Sequence, residues 1–130
     1  MKIACYILIL LTSTQLSAQN KRDYHWFFGG DGIPGPEFGA IHWDFNQKPS
    51  VPGTRDAGLS FGQNNTSIST EDGELLFYSN GCAVANRFHQ VMPNGDSINA
   101  GDFFDDWWDG DCISGYPGRQ GITMLPESCL

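Results

Sequence analysis

Positive charge is what this chain has least of. Seven Lys and Arg stand against fifteen Asp and Glu, a formal net charge of −8 over 130 residues. Such a surface repels the phosphates of nucleic acid and the headgroups of an anionic membrane, so neither is expected as a partner. Outside the N-terminus, no window of helix length carries a sustained 3.6-residue apolar period, which excludes a helical bundle. The apolar run Ile3–Leu11 falls well short of the ~20 residues a spanning helix needs. No G-x-S-x-G occurs, so a hydrolase built on a nucleophile elbow has no support. His25, His42 and His89 are far apart and lack the close spacing of H-E-x-x-H. Each therefore reads as a strand or loop residue bonded to backbone. Gly29-Gly-Asp-Gly32 has the look of a phosphate cradle, but no helix N-terminus follows it, and it reads as a turn.

What the chain has is glycine (16), proline (7) and 13% aromatics. That mixture predicts many short strands and tight turns; a disordered chain would lack the aromatics. The first eighteen residues differ. Lys2, the apolar run and the small polar stretch Ser13–Ala18 read as an export signal cut after Ala18, leaving Gln19 first. Leu16 is a poor residue three before that cut, so cleavage could fall a few residues away. Cys5 precedes most of the apolar run, which argues against a lipoprotein. Residues 19–130 then form one partial domain of charge −9, Lys2 being the only charge lost. No membrane insertion is expected after cleavage.

The organising stretch is Ser67–Asn86. Two runs suited to strands flank Glu71-Asp72-Gly73, and Asp-Gly is a strong hairpin signal. Leu75, Phe77 and Ser79 fall on one face of the second strand, and Leu76, Tyr78 and Asn80 on the other. Both faces carry apolar side chains, so this strand is expected to be covered on both sides. Asn80-Gly81 supplies a further turn and Ala83–Ala85 a third strand. Earlier in the chain, Tyr24–Phe28 and Ala40–Phe45 read as strands, with Ile41, Trp43 and Phe45 alternating against Ala40, His42 and Asp44. Asn46–Gly58 reads as a long surface loop, Met92–Gly95 as a turn, Asn99–Gly118 as an irregular aromatic and acidic loop, and Gly121–Leu125 as a last strand. The fold class is all-β, an antiparallel meander.

Several pieces resemble one family. They are Trp26-Phe-Phe-Gly29, Ser69–Asn80, Gly81-Cys-Ala-Val-Ala-Asn86, His89–Gly95, and Gly115-Tyr-Pro with Gln120–Pro126. In order and spacing they resemble the N-terminal region of large secreted proteins of Bacteroidetes-type bacteria, gliding-associated or exported by type IX secretion. The resemblance implies the first one or two blades of a β-propeller-like domain, the remaining blades lying in the parent protein; a small β-sandwich is the alternative. Family members continue past the segment matching Leu125-Pro126 into a second aromatic strand and often end in a sorting domain; here Glu127–Leu130 closes the sequence. On this reading Gly121–Leu125 would present an unpaired edge prone to association. The resemblance supplies no catalytic residue.

Among candidate sites, Asp102–Asp111 holds the densest chemistry. Asp105, Asp109 and Asp111 have roughly the alternate spacing of a calcium loop, but the D-x-D-x-D-G order and bidentate Glu are missing, so a solvated acidic loop is the simpler reading and no cofactor is expected. Phe103, Phe104, Trp107 and Trp108 could form a platform stacking on sugar rings, or could plug one end of the core. Asn64 and Asn65 head overlapping N-x-Ser/Thr acceptors, coincidental in a bacterial context. Glu71 and Asp72 belong to a turn. Of the cysteines left after cleavage, Cys82 and Cys112 are expected to form a disulfide: Cys82 opens a short strand, Cys112 lies in a loop needing an external tie, and Cys129 sits at the chain end. Such a bridge would add roughly 3–4 kcal/mol through the loop it closes.

The function expected is an exported, non-catalytic binding or structural module, secreted or on the cell surface, whose partners are extracellular polysaccharide or other surface proteins. The alternative is part of a secreted glycan-active hydrolase, since propellers can hold paired carboxylates at their axis. No carboxylate pair here is placed by a motif.

Overall fold

The computed structural model describes residues 20–29, 40–108, 112, 115–118 and 121–126. Among these the chain is all-β apart from one short helix. It forms two three-stranded antiparallel sheets, each a meander with strands in chain order. The first sheet holds β1 (His25–Phe28), β2 (Ala40–Asp44) and β3 (Pro52–Arg55), and the second β4 (Thr66–Ser69), β5 (Leu75–Ser79) and β6 (Val84–Asn86).

The second sheet forms where the sequence places it. The β4–β5 hairpin turns at Glu71-Asp72, closed by Gly73 N–H to Thr70 O at 3.0 Å and Thr70 N–H to Glu74 O at 2.8 Å. Gly73 takes φ +93°, a conformation glycine adopts freely. An added Cβ there would lie 2.6 Å from Asn46 Oδ1, so the Asn46 side chain would have to shift. One detail departs from plain alternation. Ile68 pairs with Phe77 but Ser69 with Leu75, leaving Leu76 as the extra residue of a bulge. The bulge moves Leu75 from the Phe77 face to the Tyr78 face, where both enter one core.

That core lies between the sheets. Phe27 and Ala40 come from the first, Tyr78, Leu75 and Ala85 from the second, and Ala57, Leu59 and Phe61 from the connection between them. Tyr78 and Phe61 are fully buried, each contributing on the order of 2–3 kcal/mol of transfer free energy.

Three stretches differ from the sequence expectation. Within Asn46–Gly58, Pro52–Arg55 forms an edge strand on β2 and is exposed throughout. Proline is tolerated at an edge because its missing N–H costs no ladder bond there, and composition alone hides such a strand. Asp102–Trp108, expected as irregular, is a seven-residue helix, α1. Asp102 and Asp105 sit in its first turn, where acidic groups favour the helix dipole, and Gly101 O accepts from Phe104 N–H and Asp105 N–H at 2.8 and 3.1 Å. A helix this short rests on tertiary anchoring, here the buried Phe104, and is below the length at which periodicity shows. Gly121–Leu125 is not a strand: its amides go to side chains, Gly121 N–H to Asn64 Oδ1 at 2.5 Å and Met124 N–H to Thr66 Oγ1 at 3.2 Å. The loop Gly29–Pro36 lies outside the described residues beyond Gly29.

Cys82 and Cys112 are joined as a disulfide with Cα atoms 5.2 Å apart, inside the ~7 Å limit for bridging. Asn80 reinforces the tie. Its Oδ1 accepts from Cys82 N–H and Ala83 N–H at 3.1 and 2.9 Å, and its Nδ2 donates to Cys112 O at 2.7 Å. A Cβ on Gly115 would lie 2.7 Å from Asn80 O, so the returning chain passes this hub closely enough to need glycine.

Candidate functional site

The register of β1 on β2 builds two unlike faces. Trp26 pairs with Trp43, Phe28 with Ile41, and His25 and Phe27 with Asp44 and His42. Cross-strand partners share a face. The histidines therefore turn inward with Phe27, and the tryptophans outward.

On the inner face His42 lies flat on Phe27, with ring centroids 4.4 Å apart and planes at 9°, and Phe27 in turn stacks on Tyr78 at 4.5 Å. Ala40 and His42 are both buried in this layered core. His25 Nε2–H donates to Gly73 O at 3.0 Å, since a carbonyl can only accept. In the neutral pair, His25 Nδ1 then accepts from His42 Nε2–H at 2.8 Å. Asn46 Nδ2 joins the same Gly73 O at 2.7 Å and Asp44 Oδ1 at 3.0 Å. Burial, with His25 and Arg55 adding to it, pulls His42 down to about 4. Burial opposes the Asp44 carboxylate, but hydrogen bonds from Asn46 and Gln47 hold it below its ordinary range. At the other end of the row Tyr78 donates to Ala57 O at 2.6 Å, so His89 Nδ1–H is the donor in the 3.0 Å contact with the phenol oxygen. His89 holds a left-handed backbone at φ +63°. Burial lowers its pKa and raises that of Tyr78. The three histidines, expected apart and bonded to backbone, thus line one core; His25 alone has a backbone partner for its ring among the described residues. They brace the two sheets, and no group of three metal-ligating side chains occurs among the described residues.

The outer face is open. Trp26 is 45% exposed, Phe28 38% and Ile41 46%. Phe45 meets Trp26 edge-on at 5.1 Å and stacks on Trp43 at 5.7 Å, and the Trp43 indole N–H donates to Ser50 Oγ at 3.0 Å. Rings held by one another are pre-set surfaces, costing little entropy to use.

This face ends in a groove where β1 meets β4. Phe61 N–H bonds Gly29 O at one end and Ser69 N–H bonds Arg22 O at the other, both 2.8 Å, with the Ser67 hydroxyl donating to His25 O between. Beside that seam lies a cleft of about 300 Å³ lined by Asp23, Trp26, Phe28, Asn65, Thr66 and Ser67. A second, of about 340 Å³, shares Asp23 and Ser67 and continues past Arg22, Met124 and Pro126. Each reaches the lower end of the ~300–1,000 Å³ usual for ligand sites. A third cavity, about 410 Å³, is lined by Asn64, Asn99 and Tyr116. Its amides hold chain to chain: Asn64 Nδ2 to Tyr116 O at 3.1 Å and Asn99 Nδ2 to Gly81 O at 2.7 Å. Buried in this way, Asn64 is no acceptor for a glycan; Asn65 is exposed.

Of the residues singled out from sequence, Phe103, Phe104, Asp105, Trp107 and Trp108 all fall on α1. Phe104 is 7% exposed and offers no ring to solvent, while Asp105 is exposed. The side chains of Phe103, Trp107 and Trp108, and Asp109 and Asp111 entirely, lie outside the described residues. Of the aromatic surface that the structure does show, on Trp26, Trp43 and Phe45, the sequence carries only the alternation of Trp43 and Phe45 along the second strand. Comparison with family models, curated proteins and solved structures finds no match for this chain.

Proposed function

We propose that the chain is an exported, non-catalytic binding module of a bacterial secreted or surface protein. The open aromatic face of the first sheet, running into the groove at the β1–β4 seam, carries this reading. It offers prearranged rings and polar groups in a recess, whereas the titratable cluster is turned into the core, away from any ligand. On this reading the two successive meanders are early blades of a propeller-like body, an architecture that repeats small antiparallel sheets, usually of four strands. The N-terminal segment supports export and the acidic surface disfavours nucleic acid.

The test is retention on immobilised plant and bacterial polysaccharides, with reducing ends assayed in parallel. Retention without release is the expected result. Release of reducing ends would make the protein a hydrolase.

A further inference from the structure

We propose that the β1–β4 groove binds an uncharged polysaccharide, one sugar ring seating on Trp26 and the polymer continuing along the seam; this rests on the binding-module reading above. A pyranose ring has apolar C–H faces and a rim of hydroxyls. The cleft matches both. Trp26 and Phe28 supply exposed ring surface, and Asp23, Asn65 and Thr66 supply acceptors and donors beside it. The side chains of Asp23 and Asn65 make no hydrogen bond to other described residues, so neither must give up an internal bond to take a sugar hydroxyl. A few convergent polar groups at the edge of an aromatic floor are what orient a ligand and give specificity.

Charge and backbone narrow the class. A carboxylate in the cleft and a formal charge of −8 on the chain disfavour uronic or sulfated polymers. Arg22, the cation lining the second cleft, is paired with Glu71 at 2.8 Å and offers an anion little. An extended peptide would need a free strand edge here, yet the facing edges are tied at both ends by Phe61 to Gly29 and Ser69 to Arg22. The two clefts share Asp23 and Ser67, so a chain longer than one ring has somewhere to go.

The experiment is titration of the disulfide-intact protein with cellohexaose, mannohexaose, xylohexaose and polygalacturonate, read by calorimetry and tryptophan fluorescence. At least one neutral hexamer should bind saturably and polygalacturonate should not. Trp26→Ala should weaken binding about tenfold or more, as loss of a stacked ring does. Asp23→Ala, on an exposed side chain, should weaken it without moving the melting temperature. Unchanged affinity in both variants would overturn the groove while leaving a binding module. So would preference for polygalacturonate. Failure of every neutral hexamer, with a concentration-dependent dimer that Trp26→Ala dissolves, would give the face to a second copy of the chain. Hydrolysis of a hexamer that still depends on Trp26 would uphold the groove and sink the non-catalytic reading.

Discussion

The two sheets have the same size and connectivity yet are held together differently. The second is bound by covalent and polar ties: the Cys82–Cys112 bridge, the Asn80 hub, and Ser79 Oγ donating to Ala83 O at 2.6 Å. Its central strand is covered on both sides, with Tyr78 and Ser79 both fully buried. Among the described residues the first sheet has no disulfide, and its polar ties are the His25–His42 contact and the Asn46 bonds to Asp44 and Gly73. It is held by a stack of rings on one face and leaves aromatics bare on the other. Where one region spends its side chains on its own stability and the other leaves them unspent, the second kind is where a partner belongs.

The largest break in this contrast should come from the disulfide. Replacing Cys82 and Cys112 together by Ala frees a loop with a sequence separation of 30, and chemical denaturation should show a loss of about 3–4 kcal/mol. Hydrogen exchange should show that loss concentrated in β5, β6 and α1, with β1 and β2 less affected. Equal loosening of both sheets would mean that they are one cooperative unit.

Acid should act on the other side of the comparison. His42 has its pKa lowered in the folded state, to about 4 from 6.5, so the unfolded chain binds the proton more readily. The stability this burial confers is complete above pH 6.5 and is lost as pH falls from 6.5 towards 4; His89, also lowered, adds in the same direction. Between pH 7.5 and 4.5 the His42 share of the loss is about 2–3 kcal/mol. His42→Asn should flatten that slope in urea titrations, and an unchanged slope would remove His42 as its source.

How much of this was legible in advance depended on the range of the interaction. The β4–β5 hairpin was plain because Asp72-Gly73 and the flanking strand residues act over a few positions. The bulge that carries Leu75 to the Tyr78 side was not, since it is fixed by the partner strand. Along β2 the alternation separated Ile41 and Trp43 from Ala40 and His42 correctly. Apolar character alone would turn the first pair inward, but packing decides otherwise: flat His42 fills the space against Phe27, and its polarity is satisfied by His25 from another strand. The histidine row, with His25 and His42 separated by 17 positions, has no local signature. For the same reason the aromatic run of α1 stands out in the sequence, while Trp26 and Phe45 come together only through register.

The smallest effect sharpens the comparison most. Trp26→Ala should change folding stability by no more than about 0.5–1 kcal/mol, because the ring is already half in water. Thermal melts would check this, and a loss several times larger would make the outer face part of the scaffold.

The Cys82–Cys112 bond also turns residues 82–112 into a covalent ring, with α1 carried on it. A protease that cuts once between Ala83 and Asp111 opens that ring but releases nothing: both fragments stay on one molecule. A first nick there is an injury without an amputation.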